Sequence, residues 1–319
     1  MRRPDAQRGV RRGTRPVSAA AAKSAPPWHG LALAALGSFA FSGKAIIVKL
    51  AYRYGVDAVT LIMYRMLFAL PMFVLLAWWS GRGRPRLAAR DWAIVVGLGF
   101  SGYYLASFLD FAGLQYITAG LERLILYLNP TLVLLLGVLR FGQKARGRQL
   151  AAMALSYLGI VLVFGHEASL AGADAALGSL LVLCSAVSYA AYLVYSGQVV
   201  TRIGSLRLTG LATSVASVLC IGQFLLLRPL AAAVVAPEVI WLSLANAVLC
   251  TFVPVLLVMM AIERIGATLV AQTGMIGPVA TIAMGVAILG EPLNRWIFAG
   301  SALVIAGIWL LARTPAAAR

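Results

Sequence analysis

The chain is 319 residues long, 61% hydrophobic and only 12% charged, with a mean hydropathy of +0.90. A soluble domain is about 45–50% apolar and about 25% charged, so this composition excludes a water-soluble fold and makes lipid the solvent. The net charge of +17 does not argue for nucleic acid, because seven of the 27 basic residues lie in the first 23 positions and most of the rest in short connections, the placement that membrane insertion uses.

Residues 1–27 are rich in Arg, Ala and Pro and read as a disordered basic cytoplasmic tail. The double arginines lack a twin-arginine motif, and the apolar run behind them is too long for a signal-peptide core, so no cleavage is expected. A spanning helix needs about 20 mainly apolar residues, and ten runs meet that need. The first, 29–50, carries Lys44; the second, 58–79, carries Arg65. The third, 91–111, places Tyr103, Ser107 and Asp110 on one face. The fourth, 118–139, holds Glu122, Arg123, Tyr127 and the pair Asn129-Pro130. The fifth, 148–165, is apolar, and the sixth, 177–199, has a stripe of Ser185, Ser188, Tyr189, Tyr192, Tyr195 and Ser196 within about 120° of arc. Runs seven and eight cover 207–227 and 238–260; the ninth, 267–289, holds Gln272, Thr273 and Pro278, and the tenth covers 295–312.

Lys and Arg crowd alternate connections. Arg82, Arg84, Arg86 and Arg90 follow run two, Arg140, Lys144, Arg146 and Arg148 follow run four, and Arg202 and Arg207 follow run six; the other set offers only Arg53, Arg228 and Arg295. The positive-inside rule then puts both termini in the cytoplasm, which requires an even number of spans. Cys184, Cys220 and Cys250 all fall in apolar runs, an odd buried set that argues against a disulfide framework.

Shifted by 148 residues, the halves align without a gap from 115 to 165: Pro130 falls on Pro278, Gly137-Val138 on Gly285-Val286, Gly142 on Gly290 and Gly159-Ile160 on Gly307-Ile308. Five helices per unit, an odd number, insert the second unit from the opposite side, the inverted repeat of secondary transporters. The domain reading is 28–166 for the first five-helix repeat and 177–313 for the second.

Gly37-Ser38-Phe39 and Lys49 in run one, Arg65 in run two, the paired prolines, and Gly290-Glu291-Pro292-Leu293 followed by Gly300 and Gly307 together resemble the EamA type of the drug/metabolite transporter superfamily. The likeness covers about 30–312, with departures at Gln143, where the resemblance expects a glutamate, and Ala152, where it expects glycine. It implies an all-α integral membrane fold of ten helices, a central cavity between the halves and alternating access. It names no substrate, since the family moves amino acids, metabolites and drugs.

An ionisable group at mid-span costs about 2.5–3.5 kcal/mol on insertion scales, so Lys44, Arg65, Asp110, Glu122 and Arg123, which the spans place at one depth, must face water or each other. Two readings of Glu122 and Arg123 stay open. They line the transport path beside the break at Pro130, or Glu122 pairs with Lys44 or Arg65 to lock helices. Excess cation at the cavity favours a carboxylate or other anion. Lys44, Arg65, Glu122, Arg123, Tyr127, Asn129, Tyr189, Tyr192 and Gln272 form the candidate substrate site. Glu122 is the candidate proton carrier; if it stays charged, an exchanger or facilitator results. His29 at the start of helix one and His166 in a loop read as bystanders, and Glu291 as a cap for helix ten.

No zinc, nucleophile-elbow or phosphate-loop motif marks an enzyme, and no cofactor or metal is expected. The reading is a metabolite exporter of the inner membrane, a monomer or weak oligomer, its partners a small-molecule substrate, the bilayer and protons or a counter-substrate. The alternative is efflux of drugs or lipid-linked cargo.

Overall fold

The computed structural model describes residues 27–141, 147–274 and 276–312; the N-terminal tail lies outside these apart from its last residue. Ten helices follow in order: α1 (Pro27–Tyr52), α2 (Ala58–Gly81), α3 (Ala89–Gly113), α4 in two halves (Ala119–Leu126 and Asn129–Phe141), α5 (Gly147–Ala171), α6 (Ala173–Ile203) and α7 (Ser205–Leu227). Next, α8 runs as Pro237–Ala247, a π-helical turn Val248–Phe252 and Val253–Gly274; α9 covers Ile276–Leu289 and α10 Arg295–Ala312. Among the described residues eight segments are long and apolar enough to cross a bilayer, with shorter apolar helices at α9 and α10. The chain is an integral membrane protein.

Local chemistry sets the helix ends. Asp57 caps α2 by accepting from the amides of Val59 (2.9 Å) and Thr60 (3.3 Å), and Arg228 Nε donates to the same carboxylate at 3.2 Å. Burial works to raise the Asp57 carboxyl, but the Thr60 hydroxyl and amide and the Arg228 guanidinium hold it below its usual range. Thr118 caps α4 through Leu121 N at 3.1 Å. Asn294, not Glu291, caps α10, accepting from Trp296 N (3.0 Å) and Ile297 N (2.9 Å). The cap expected at Glu291 is therefore corrected: Asn294 stands next to the first helical residue, and its short side chain reaches the free amides that Glu291 would have to reach from further back.

Two other boundaries differ from the sequence reading. The loop expected around 166–176 shrinks to Gly172, whose φ of +58° turns the chain alone, so His166 lies inside α5, its ring 6.1 Å from that of Trp296. Helix eight continues to Gly274 instead of ending near 260; its lone interior Gly266 costs about 1 kcal/mol against Ala, too little to break a run of good helix formers.

The packing repeats the sequence offset. Helices α2 and α7 pack together, as do α4 and α9, and α5 and α10, each pair made of equivalents; α1 packs on α8 as α6 packs on α3. That exchange pattern is a two-fold relation between five-helix halves. Among the described residues two of the three π-helical turns share it, since Gly99–Leu105 in α3 shifted by the offset overlies Val248–Phe252 in α8, while the turn Gly285–Leu289 in α9 falls on α-helix in α4. Between α5 and α10 the backbones meet without side chains between them: a Cβ on Gly300 would sit 2.5 Å from the Gly159 carbonyl oxygen. Ala152 is harmless in place of glycine because Gly307 opposes it, where a Cβ would stand 2.7 Å from the Ala152 carbonyl.

Candidate functional site

A cavity of about 540 Å³ lies between the halves. It runs from Lys44 and Asp110, deep in the bundle, to Val200 and Ser205 at the end that carries the arginine-rich connections. The π-helical turns of α3 and α8 border it, through Gly102 and Tyr103 on one side and Cys250 and Thr251 on the other. Such turns concentrate at functional sites.

Lys44 is held between two carboxylates, with Nζ 2.5 Å from Asp110 Oδ2 and 3.0 Å from Glu122 Oε1. Glu122 is 0% exposed and stands behind Lys44 rather than on the cavity wall, while Asp110 is on the wall. Of the two readings open from the sequence, pairing with Lys44 is the one the geometry shows. Arg65 differs. It is 7% exposed and lines the cavity. Its Nε donates to Thr251 Oγ1 at 3.1 Å and its guanidinium lies 5.1 Å over the Phe111 ring. Among the described residues Nη1 has no hydrogen-bond partner and no carboxylate lies within ion-pair distance of Arg65. Arg123, also on the wall, donates from Nη2 to Ser42 Oγ at 3.2 Å, and its Nε is unpartnered. Three cations thus meet two carboxylates, an excess of one positive charge.

The Asn-Pro pair now has a physical account. Pro130 lacks the amide that would reach Leu126 O four residues back, and Asn129 Nδ2 takes that carbonyl instead at 2.6 Å. Pro278 in α9 likewise leaves Gly274 O free, and the Tyr127 hydroxyl donates to it at 2.6 Å across the repeat boundary. Asn129 and Tyr127 still face the cavity, with Asn129 Oδ1 unpartnered. Gly277 has to be glycine, because a Cβ there would collide with the Tyr127 hydroxyl.

Tyr189 and Tyr192 stack with ring centroids 5.5 Å apart, and Tyr192 Oη is 3.3 Å from Tyr103 Oη. All three line the cavity, and Gly102 leaves room for the Tyr192 ring, which any Cβ there would strike. Ser185 and Ser188 donate instead to α3 carbonyls, Ala106 O at 2.6 Å and Ser101 O at 2.8 Å, so they join helices around the π turn. Gln272 lies in α8, but its side chain falls outside the described residues. The sequence reading missed Thr251, although the repeat offset carries Tyr103 onto it and would have found it.

Buried charges around a hollow between inverted helical halves suit a membrane transporter. The pattern of the EamA-like transporter family matches residues 28–165 and again 176–313. The chain belongs to that family, and is a transporter rather than an enzyme. It is 31% identical over 278 residues to the uncharacterized transporter YcbK of Bacillus subtilis, covering 81% of this chain and 85% of that one. It is 25% identical over 244 residues to a probable amino-acid metabolite efflux pump of Escherichia coli, covering 68% and 75%. A crystal structure matching with a TM-score of 0.60 at 17% identity, over 88% of this chain and 95% of that one, shares the fold.

Proposed function

We propose that the chain exports a small polar metabolite bearing a carboxylate, an amino acid or an organic acid, across the inner membrane by alternating access. The observation that carries this is Arg65, a guanidinium buried at the cavity wall that, among the described residues, has a donor left over and no carboxylate within ion-pair distance. A buried unpaired charge is costly, and a planar guanidinium matches a carboxylate in two-point geometry. Asp110 Oδ1, likewise on the wall and unpartnered, stands ready for a substrate ammonium. The positive-inside rule makes the arginine-rich end cytoplasmic, so the cavity loads from the cytoplasm, which supports export and cytoplasmic termini.

The test is thermal unfolding of the purified protein against amino acids, organic acids and lipophilic cations. A ligand at 100 times its Kd stabilises the folded state by about 2.7 kcal/mol. Carboxylate-bearing compounds should raise Tm in the parent and not in Arg65→Ala. Hits confined to lipophilic cations would overturn this reading and favour drug efflux, which the apolar wall of Leu126, Val255, Val258 and Met259 would suit.

A further inference from the structure

Away from the arginine-rich end, the two halves are joined by a separate set of polar contacts. Glu291, from the connection between α9 and α10, reaches across to the first half. Its Oε1 accepts from Ala119 N at 2.8 Å and its Oε2 from Gly120 N at 3.4 Å. The opening amides of a helix have no partner inside it. Here Thr118 takes the third and a carboxylate from the other repeat takes the first two, where negative charge also meets the positive end of the helix dipole. The seat is shaped for it, since a Cβ on Gly285 would stand 2.8 Å from Glu291 Oε2. Beside it Arg53 Nη2 donates to Leu289 O at 2.8 Å, again joining first half to second.

These contacts border the smaller of two hollows. One, of about 330 Å³, is lined by Lys49, Tyr52, Arg53, Thr118, Leu289 and Glu291. The other is the main cavity. Between them packs an apolar cluster that includes Met66, Phe111 and Leu114, with Met284 and Leu289 against it.

We propose that Glu291 is the latch that keeps this end of the carrier closed and so sets which state is populated at rest. The proposal rests on the alternating-access reading and adds the residue that biases it. The latch is reversible by construction: the carboxylate borders the smaller hollow, so water can replace it on the α4 amides when the halves part. The sequence offset sets Gln143 against Glu291, so the first half has no carboxylate at the equivalent position, and the bias runs towards closure at the Glu291 end.

Cys250 borders the main cavity but is only 4% exposed and Cys220 is buried, so the readout is a cysteine placed at Ser107, a half-buried residue of the cavity wall. In full-length protein carrying Cys184→Ala, Cys220→Ala, Cys250→Ala and Ser107→Cys, a membrane-impermeant sulfonated thiosulfonate is added to one face or the other of reconstituted vesicles. The thiol at position 107 should react readily from the arginine-rich face and slowly from the opposite one. Glu291→Gln and Gly285→Ala should each raise the slow rate about three- to tenfold by shifting the resting populations. Glu238→Gln, an exposed carboxylate on the same side, should leave it unchanged. An unaltered slow rate in both Glu291→Gln and Gly285→Ala overturns the latch while leaving the carrier reading intact. A parent whose thiol at position 107 is unreactive from the arginine-rich face overturns both.

Discussion

Lys44, half-buried, and Arg65, buried, are both cations beside one cavity, yet their removal has opposite consequences for stability. Lys44→Met strands Asp110 and Glu122, which it holds at 2.5 and 3.0 Å. Breaking such a buried set should cost about 3–5 kcal/mol. Arg65→Met takes away a charge with no carboxylate within ion-pair distance among the described residues and should leave the melting temperature unchanged or higher while abolishing the response to carboxylates. Thermal unfolding in detergent reads both, and equal losses in the two variants would show that Arg65 is paired after all. Depth along the spans put Lys44, Arg65 and Glu122 at one level and so made the cluster legible in the sequence. Which cation Glu122 takes was not legible, because that depends on how α1 and α2 are rotated about their axes, and apolar runs this uniform carry little record of rotation.

At the scale of the helix, the prolines were legible and their remedies only in part. Any chain with Pro130 and Pro278 leaves two carbonyls free. Asn129, next to one of them, is a local solution that its position in the sequence suggests. The Tyr127 hydroxyl on Gly274 O is a long-range solution that no local pattern encodes. Tyr127→Phe should strand that carbonyl and cost about 1–3 kcal/mol, seen as a lower Tm, with the ring still in place; an unchanged Tm would mean that another donor reaches Gly274. The π-helical turns in α3 and α8 left no signature either, since an extra residue per turn breaks no hydropathy pattern and needs no proline. Only their recurrence at the repeat offset marks them as one inherited feature.

At the scale of the molecule, the ten spans and the inverted halves could be read early because both rest on periodic, redundant signals: apolar length, alternating basic connections and a gap-free self-alignment. The pairing of equivalents follows from the symmetry, and its tightest point is testable. Gly300→Ala drives a methyl against the Gly159 carbonyl and must push α5 and α10 apart; overpacking of this kind costs about 1–3 kcal/mol, and a melting temperature equal to the parent's would contradict the close approach. Which end stands closed was not legible, because it rests on single contacts such as Glu291 to α4 rather than on any repeated pattern.

The bond from Tyr127 to Gly274 spans the halves near the middle of the bundle. If the halves swung freely there, a peptide oxygen would lose its donor, at about 1 kcal/mol, on every turnover. A see-saw avoids that loss by hinging where its two arms are already fastened. Kept intact, this hydroxyl makes the broken middles of α4 and α9 the fulcrum, so that their tips swing apart by turns at either membrane face while the centre hardly moves.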